Sequence, residues 1–144
     1  MTPPAMHIDG AAGRPLWQLE HRPAEQREAI AARLEDAGVT PQQLRAALAD
    51  GGDALYAATR AGGSTEPFGG DLAVALLAAE VGALAAHLNS RASAVRAKAV
   101  DALLDDYSAV AVATALGVSR QKVYDISKGG SVAAFLDISP WGQL

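Results

Sequence analysis

Apolar residues recur at helical spacing from Pro23 onward, and glycine-rich or polar breaks divide them into segments. "PAEQREAIAARLEDAG" predicts a first helix. Pro23 suits a first turn, acids cluster early, Ile30 and Leu34 lie one turn apart, and Gly38 stops it. "TPQQLRAALAD" predicts a second, with Thr40 as cap, Pro41 at the first helical position and Gln43 placed to bond back. Leu44 and Leu48 continue the apolar stripe. "DGGD" interrupts, and "ALYAATRA" predicts a short helix or a kinked continuation. Gly62 to Gly70, "GGSTEPFGG", is the clearest loop.

Asp71 is placed to cap the most apolar segment, "DLAVALLAAEVGALAAHL". Leu77, Val81, Leu84 and Leu88 fall at spacings of four, three and four, a seam of coiled-coil type widened by Leu72, Val74 and Leu76. A helix this apolar needs cover on several sides, so the four seam residues are the expected contacts of a homodimer. Asn89-Ser90 is expected to bend or break the chain. "ASAVRAKAVDALLDDY" then predicts more helix, with Val100, Leu103, Leu104 and Tyr107 facing inward. No internal repeat of useful length stands out.

The C-terminal part reads "SAVAVATALGVSRQKVYDISK". Ser108 is placed to cap a short helix, and Gly117 supplies the left-handed conformation that ends it. Ser119 caps a second short helix. Ala113 is small where the two helices would cross, because a larger residue there would push them apart. Val118 lies under the turn, Val123 and Ile126 are three apart on the inner face, and Val112 with Leu116 completes a small core.

This stretch resembles the helix-turn-helix of bacterial DNA-binding proteins, above all the "A..LGVSR.TVY" form of resolvase-invertase C-terminal domains. The resemblance covers about residues 108–128, or some forty residues if Ala92 to Tyr107 supplies the first of three helices. It implies a second helix lying in the major groove of double-stranded DNA. Ser119, Arg120, Gln121, Tyr124 and Asp125 would then face the duplex, with Lys122 to the side and Lys128 at the far end. Arg suits guanine O6 and N7, and Gln suits adenine N6 and N7. Asp125 would accept from cytosine N4 or hold a neighbouring Arg. Nothing N-terminal resembles a recombinase catalytic domain.

Net charge at first opposes this reading, because the 144 residues sum to −4. The charge is split, however. Arg91 to Lys128 holds six basic residues against four acids, whereas the first ninety residues hold six Arg against eleven acids. Phosphate binding follows the local field more than the total. A local +2 is modest, and a dimer with two recognition helices would supply the affinity one copy lacks.

Composition narrows the rest. Half the residues are apolar, many of them alanine, which favours closely packed helices over sheet. No cysteine is present, so disulfides and thiolate metal sites are excluded. The N-terminus lacks the basic-then-apolar pattern of a signal peptide, and Glu80 and His87 interrupt the one long apolar run. A cytoplasmic protein without a membrane span is expected. His7, His21 and His87 lack ligand spacing, and His87 is expected at a surface or boundary. Asp101, Asp105 and Asp106 read as the solvated side of a helix, and no phosphate loop follows the glycine pairs. No enzyme, cofactor or metal is expected.

The expected organisation is an all-α, multi-helix bundle with a C-terminal helix-turn-helix unit. Residues 1–22 form an irregular arm, anchored by Leu16, Trp17 and Leu19. Residues 23–90 form a helical oligomerisation region, 91–128 a three-helix DNA-binding unit, and 129–144 a tail in which Phe135, Leu136, Ile138 and Trp141 dock or form a short strand. The expected function is that of a small, dimeric, sequence-specific transcriptional regulator. The alternative is an adaptor that contacts a protein partner through the N-terminal helices, or a nucleoid- or plasmid-associated factor in which the motif is secondary.

Overall fold

The structure is a computed structural model that describes residues 17–129 and 139–141. The expected docking of Leu16, Phe135, Leu136 and Ile138, and the position of His7, fall outside the described residues. The described chain is all helical and contains no strand. Its helices are α1 (Ala24–Asp36), α2 (Pro41–Ala49), α3 (Asp53–Thr59), α4 (Asp71–Asp106), α5 (Ala109–Leu116) and α6 (Arg120–Lys128), with one 3-10 turn at Glu66–Phe68.

Two compact units share α4. The first comprises residues 25–81 with 17–19, and the second comprises 82–129 with 20–24 and 139–141. In the first unit, Ile30 and Leu34 of α1 and Leu44, Ala47 and Leu48 of α2 are buried, as the apolar spacing predicts. The Thr40 hydroxyl accepts from Gln43 N and Gln43 Oε1 accepts from Thr40 N, a complete capping box. Leu19 is buried, and its carbonyl accepts from Arg27 Nε at 3.0 Å, which fixes the chain entering α1. Asp50 ends α2 and its carboxylate receives Gly52 N and Ala54 N, so α3 is a separate short helix.

Asp71 is not a cap but the first residue of α4. Gly70 O accepts the first helical bond from Val74, while the Asp71 carboxylate accepts from the Thr65 hydroxyl at 2.7 Å. An acid in the first turn still favours the helix through its dipole.

α4 departs from the expected pattern in two ways. It runs 36 residues without a break, so Asn89-Ser90 neither bends nor ends it. Its buried stripe also has a different phase. Ala73, Leu77, Glu80, Leu84 and His87 are buried, at spacings of four, three, four and three, while Val81 and Leu88 are only half-buried on the flank. His87 is 3 % exposed, not a surface residue, and Glu80 shares its stripe. The outward side is mostly small, with Ala75, Ala78, Ala79, Gly82, Ala85 and Ala86 exposed. The apolar character that suggested cover on all sides is therefore partly alanine facing out, although Leu72 and Val95 of the same helix are also exposed, at 65 % and 69 %. By length and composition alone α4 is long and apolar enough to cross a membrane, with a mean hydropathy of 1.6 over its most apolar 18 residues, a test that the core helix of a soluble protein can also pass.

The second unit centres on Val100, Val112, Ala113, Val123 and Ile126, with Leu104 and Val118 packed against them. Full burial of a Val or Ile contributes about 1.5–3 kcal/mol. Three residues expected in this core face outward instead: Leu103 is 38 %, Tyr107 60 % and Leu116 41 % exposed. Helix α5 is only 8 residues long, so Val112 and Ala113 cover its inner side and Leu116 lies past the contact.

Candidate nucleic-acid interface

Local chemistry sets α5 and α6 at a defined corner. Ser108 Oγ accepts from Ala111 N and Ser119 Oγ accepts from Lys122 N, each at 3.1 Å, so both helix starts are capped. Between them Gly117 lies at φ 72°, Gly117 N donates to Thr114 O, and Val118 N donates to Ala113 O. This pair of bonds is the Schellman ending that a left-handed residue permits. No atom lies within 4 Å of where a Gly117 Cβ would stand, so glycine is required by conformation and not by crowding. The backbones of α5 and α6 approach closely, which the small Ala113 side chain allows.

α6 is consequently two-sided. Val123 and Ile126 are buried in the core, and Val123 has no exposed surface. Ser119, Arg120, Gln121, Lys122, Tyr124, Asp125 and Lys128 are all exposed, Tyr124 at 42 %. The five residues expected to face DNA, with Lys122 to the side and Lys128 at the far end, therefore lie on one accessible helix and its cap. The Ser127 hydroxyl donates to Asp101 Oδ1 at 2.7 Å and ties α6 to α4. Asp125 holds Gln121, not an arginine: Gln121 Nε2 donates to Asp125 Oδ1 at 3.1 Å, one helical turn away.

Two clefts flank α6. One, of about 220 Å³, is lined by Ser93, Arg96, Lys122, Asp125, Ile126 and Gly129. The other, of about 290 Å³, is lined by Ala97, Lys98, Asp101, Ser127 and Lys128. Arg96 and Lys98 belong to α4 and were not singled out by the sequence. The available signal was their placement on either side of one small residue, Ala97.

The residues expected to pair two copies are distributed differently. Leu77 and Leu84 are buried within the chain, so they serve its own core and have no side-chain surface to offer a second copy. Val81 and Leu88 keep partial exposure, and Val81 lines a groove with Leu55, Tyr56 and Val74 in the first unit. Among the described residues, no three His, Asp or Glu side chains gather as a metal site.

No protein-family model matches the chain, and neither the curated proteins nor the solved structures contain a match.

Proposed function

We propose that this protein is a sequence-specific DNA-binding protein, a small transcriptional regulator that lays α6 in the major groove as a helix-turn-helix recognition helix. One observation carries the reading. A helix capped by Ser119 and fastened by Val123 and Ile126 keeps Arg120, Gln121, Lys122 and Tyr124 exposed together. None of the four belongs to the buried core of the unit, and Arg and Gln are the residues that read guanine and adenine edges. The local excess of basic over acidic residues in 91–128 supports the same partner.

Action as a homodimer belongs to this proposal. One copy brings a modest positive field, and a second recognition helix about 34 Å away would double the contact. Because Leu77 and Leu84 are covered by the chain, such a dimer draws on Val81, Leu88 and the exposed alanine side of α4.

The test is selection of duplexes from a randomised pool by the purified protein, followed by sequencing of the retained fraction. A recurrent two-fold symmetric site is the expected result. Retention of duplex without any sequence preference would remove the regulator reading and leave a protein adaptor or a nucleoid-associated factor.

A further inference from the structure

Four cations of the second unit fall in two pairs, each pair drawn from two different helices. Residues two apart on a helix point about 200° from each other, since each residue turns it by about 100°. Arg96 and Lys98 have this spacing on α4, and Ala97 between them is buried in the line of Ala94 and Val100. Arg96 and Lys98 therefore emerge on opposite sides of the face that α4 presents to its own core. On α6 the same division recurs. Lys122 lines the cleft reached by Arg96, and Lys128 lines the cleft reached by Lys98.

We infer that Arg96 with Lys122, and Lys98 with Lys128, are two clamps for backbone phosphates of duplex DNA, one on each side of α6. This inference rests on the reading of α6 as the helix that enters the groove. The dimensions support it. A helix with its side chains is about 10–12 Å across, and the major groove of B-DNA is about 12 Å wide. A helix seated there fills the groove, and its two flanks face the two sugar–phosphate strands. Those flanks are where the clefts open.

Each cleft also holds one carboxylate, and each carboxylate already accepts a hydrogen bond. Asp125 accepts from the Gln121 amide and Asp101 from the Ser127 hydroxyl. With two cations against one acid, each cleft keeps a single positive charge, matched to one phosphodiester. The guanidinium offers a forked contact to two phosphate oxygens and the ammonium a point charge, so the clamps add affinity without reading bases.

The experiment measures affinity of the full chain for a selected duplex and for a scrambled duplex across a salt series. The variants are Arg96→Gln, Lys98→Gln and the pair. Each lost phosphate contact should make the slope of log K against log salt shallower by about 0.9, or about 1.8 for the pair. Between 50 and 200 mM salt that amounts to roughly 3-fold less loss of affinity per contact removed. Both duplexes should change alike, so the preference for the selected one stays constant. Arg96→Lys should retain the slope, which separates a charge contact from a fold defect.

Unchanged slopes in the variants, alongside a wild type that still selects its site, would overturn the clamps and leave the recognition helix standing. Loss of preference in Arg96→Gln would also overturn them, because a phosphate contact carries no sequence information. Equal affinity for double-stranded RNA would do the same, since its narrow major groove does not admit a helix. No duplex binding by the wild type would remove both the clamps and the reading beneath them.

Discussion

The chain builds the same corner twice. At 34–44 and again at 113–123 a helix ends on a left-handed glycine, Gly38 at φ 80° or Gly117 at φ 72°. A valine follows, Val39 or Val118, whose N–H returns to Leu34 O or Ala113 O at 2.9 or 3.0 Å. Thr40 or Ser119 then caps the next helix, and Leu44 or Val123 is fully buried at the same distance from the glycine. The corners differ in the residue at the helix crossing, in the capping box that only the first completes through Gln43, and in the surface that the second helix exposes. Where the second has Ala113, the first has Leu34, and the backbones of α1 and α2 do not approach as those of α5 and α6 do. Exposed on α6 are Arg120, Gln121, Lys122 and Tyr124, whereas α2 exposes Gln42, Arg45, Ala46 and Ala49 in an acidic unit. The turn chemistry is therefore a folding device in both places. Any nucleic-acid function has to come from what the second helix exposes.

Leu34 and Ala113 give the largest expected effects, and with opposite chemistry. Leu34→Ala should cost about 2–5 kcal/mol through the cavity it leaves. Ala113→Leu should cost about 1–3 kcal/mol by overpacking a close helix crossing. Urea unfolding measures both. An Ala113→Leu protein as stable as the wild type would mean that the close approach of α5 and α6 does not depend on a small side chain at that position, and the difference between the corners would be lost.

Next come the two glycines. Gly38→Val and Gly117→Val should each destabilise by more than about 1 kcal/mol, because a β-branched residue disfavours positive φ. Neither site is crowded, so the two losses should be similar in thermal melts. A large loss at one and none at the other would show that only one corner depends on the left-handed turn.

The caps rank third. Thr40→Ala and Ser119→Ala should each cost about 1 kcal/mol. Thr40→Ala should leave DNA affinity untouched, whereas Ser119→Ala, next to the proposed reading surface, should lower both stability and affinity.

How far the sequence displayed this structure depends on the range of each interaction. Thr40, Ser108 and Ser119 were legible as caps, and Gly38 and Gly117 as stops, since capping acts within four residues. The exposed face of α6 was legible for the same reason: a 9-residue helix with Val123 and Ile126 inside leaves few choices. The phase of α4 was not legible. Hydropathy favours Val81 and Leu88 over Glu80 and His87, yet Glu80 and His87 are buried and Val81 and Leu88 only half-buried. Asn89-Ser90 reads as a break only if the segments are independent, and here the helix is continuous. The recurring corner is not legible in the sequence because "GVTPQQL" and "GVSRQKV" share only Gly, Val and Gln in identical places. Their equivalence lies in φ angles and hydrogen bonds.

A smaller effect would sharpen the account of α6 itself. Asp125→Ala removes the partner of Gln121 and should cost only about 0.2–0.5 kcal/mol of stability, as for other pairs one helical turn apart. It also removes a negative charge beside the proposed groove contact. Affinity for scrambled duplex should rise while preference for the selected site falls, and binding assays on the two duplexes separate the trends. A fall on both would assign Asp125 a direct contact with DNA.

The most direct measurement is the ratio of affinities for a selected and a scrambled duplex, taken for the wild type, Arg120→Ala and Gln121→Ala. If α6 reads base edges, each substitution should cost about 1–3 kcal/mol on the selected duplex, little on the scrambled one, and leave the melting temperature unchanged. A wild-type ratio of one, or a ratio that neither substitution alters, would contradict the assignment of α6 as a recognition helix.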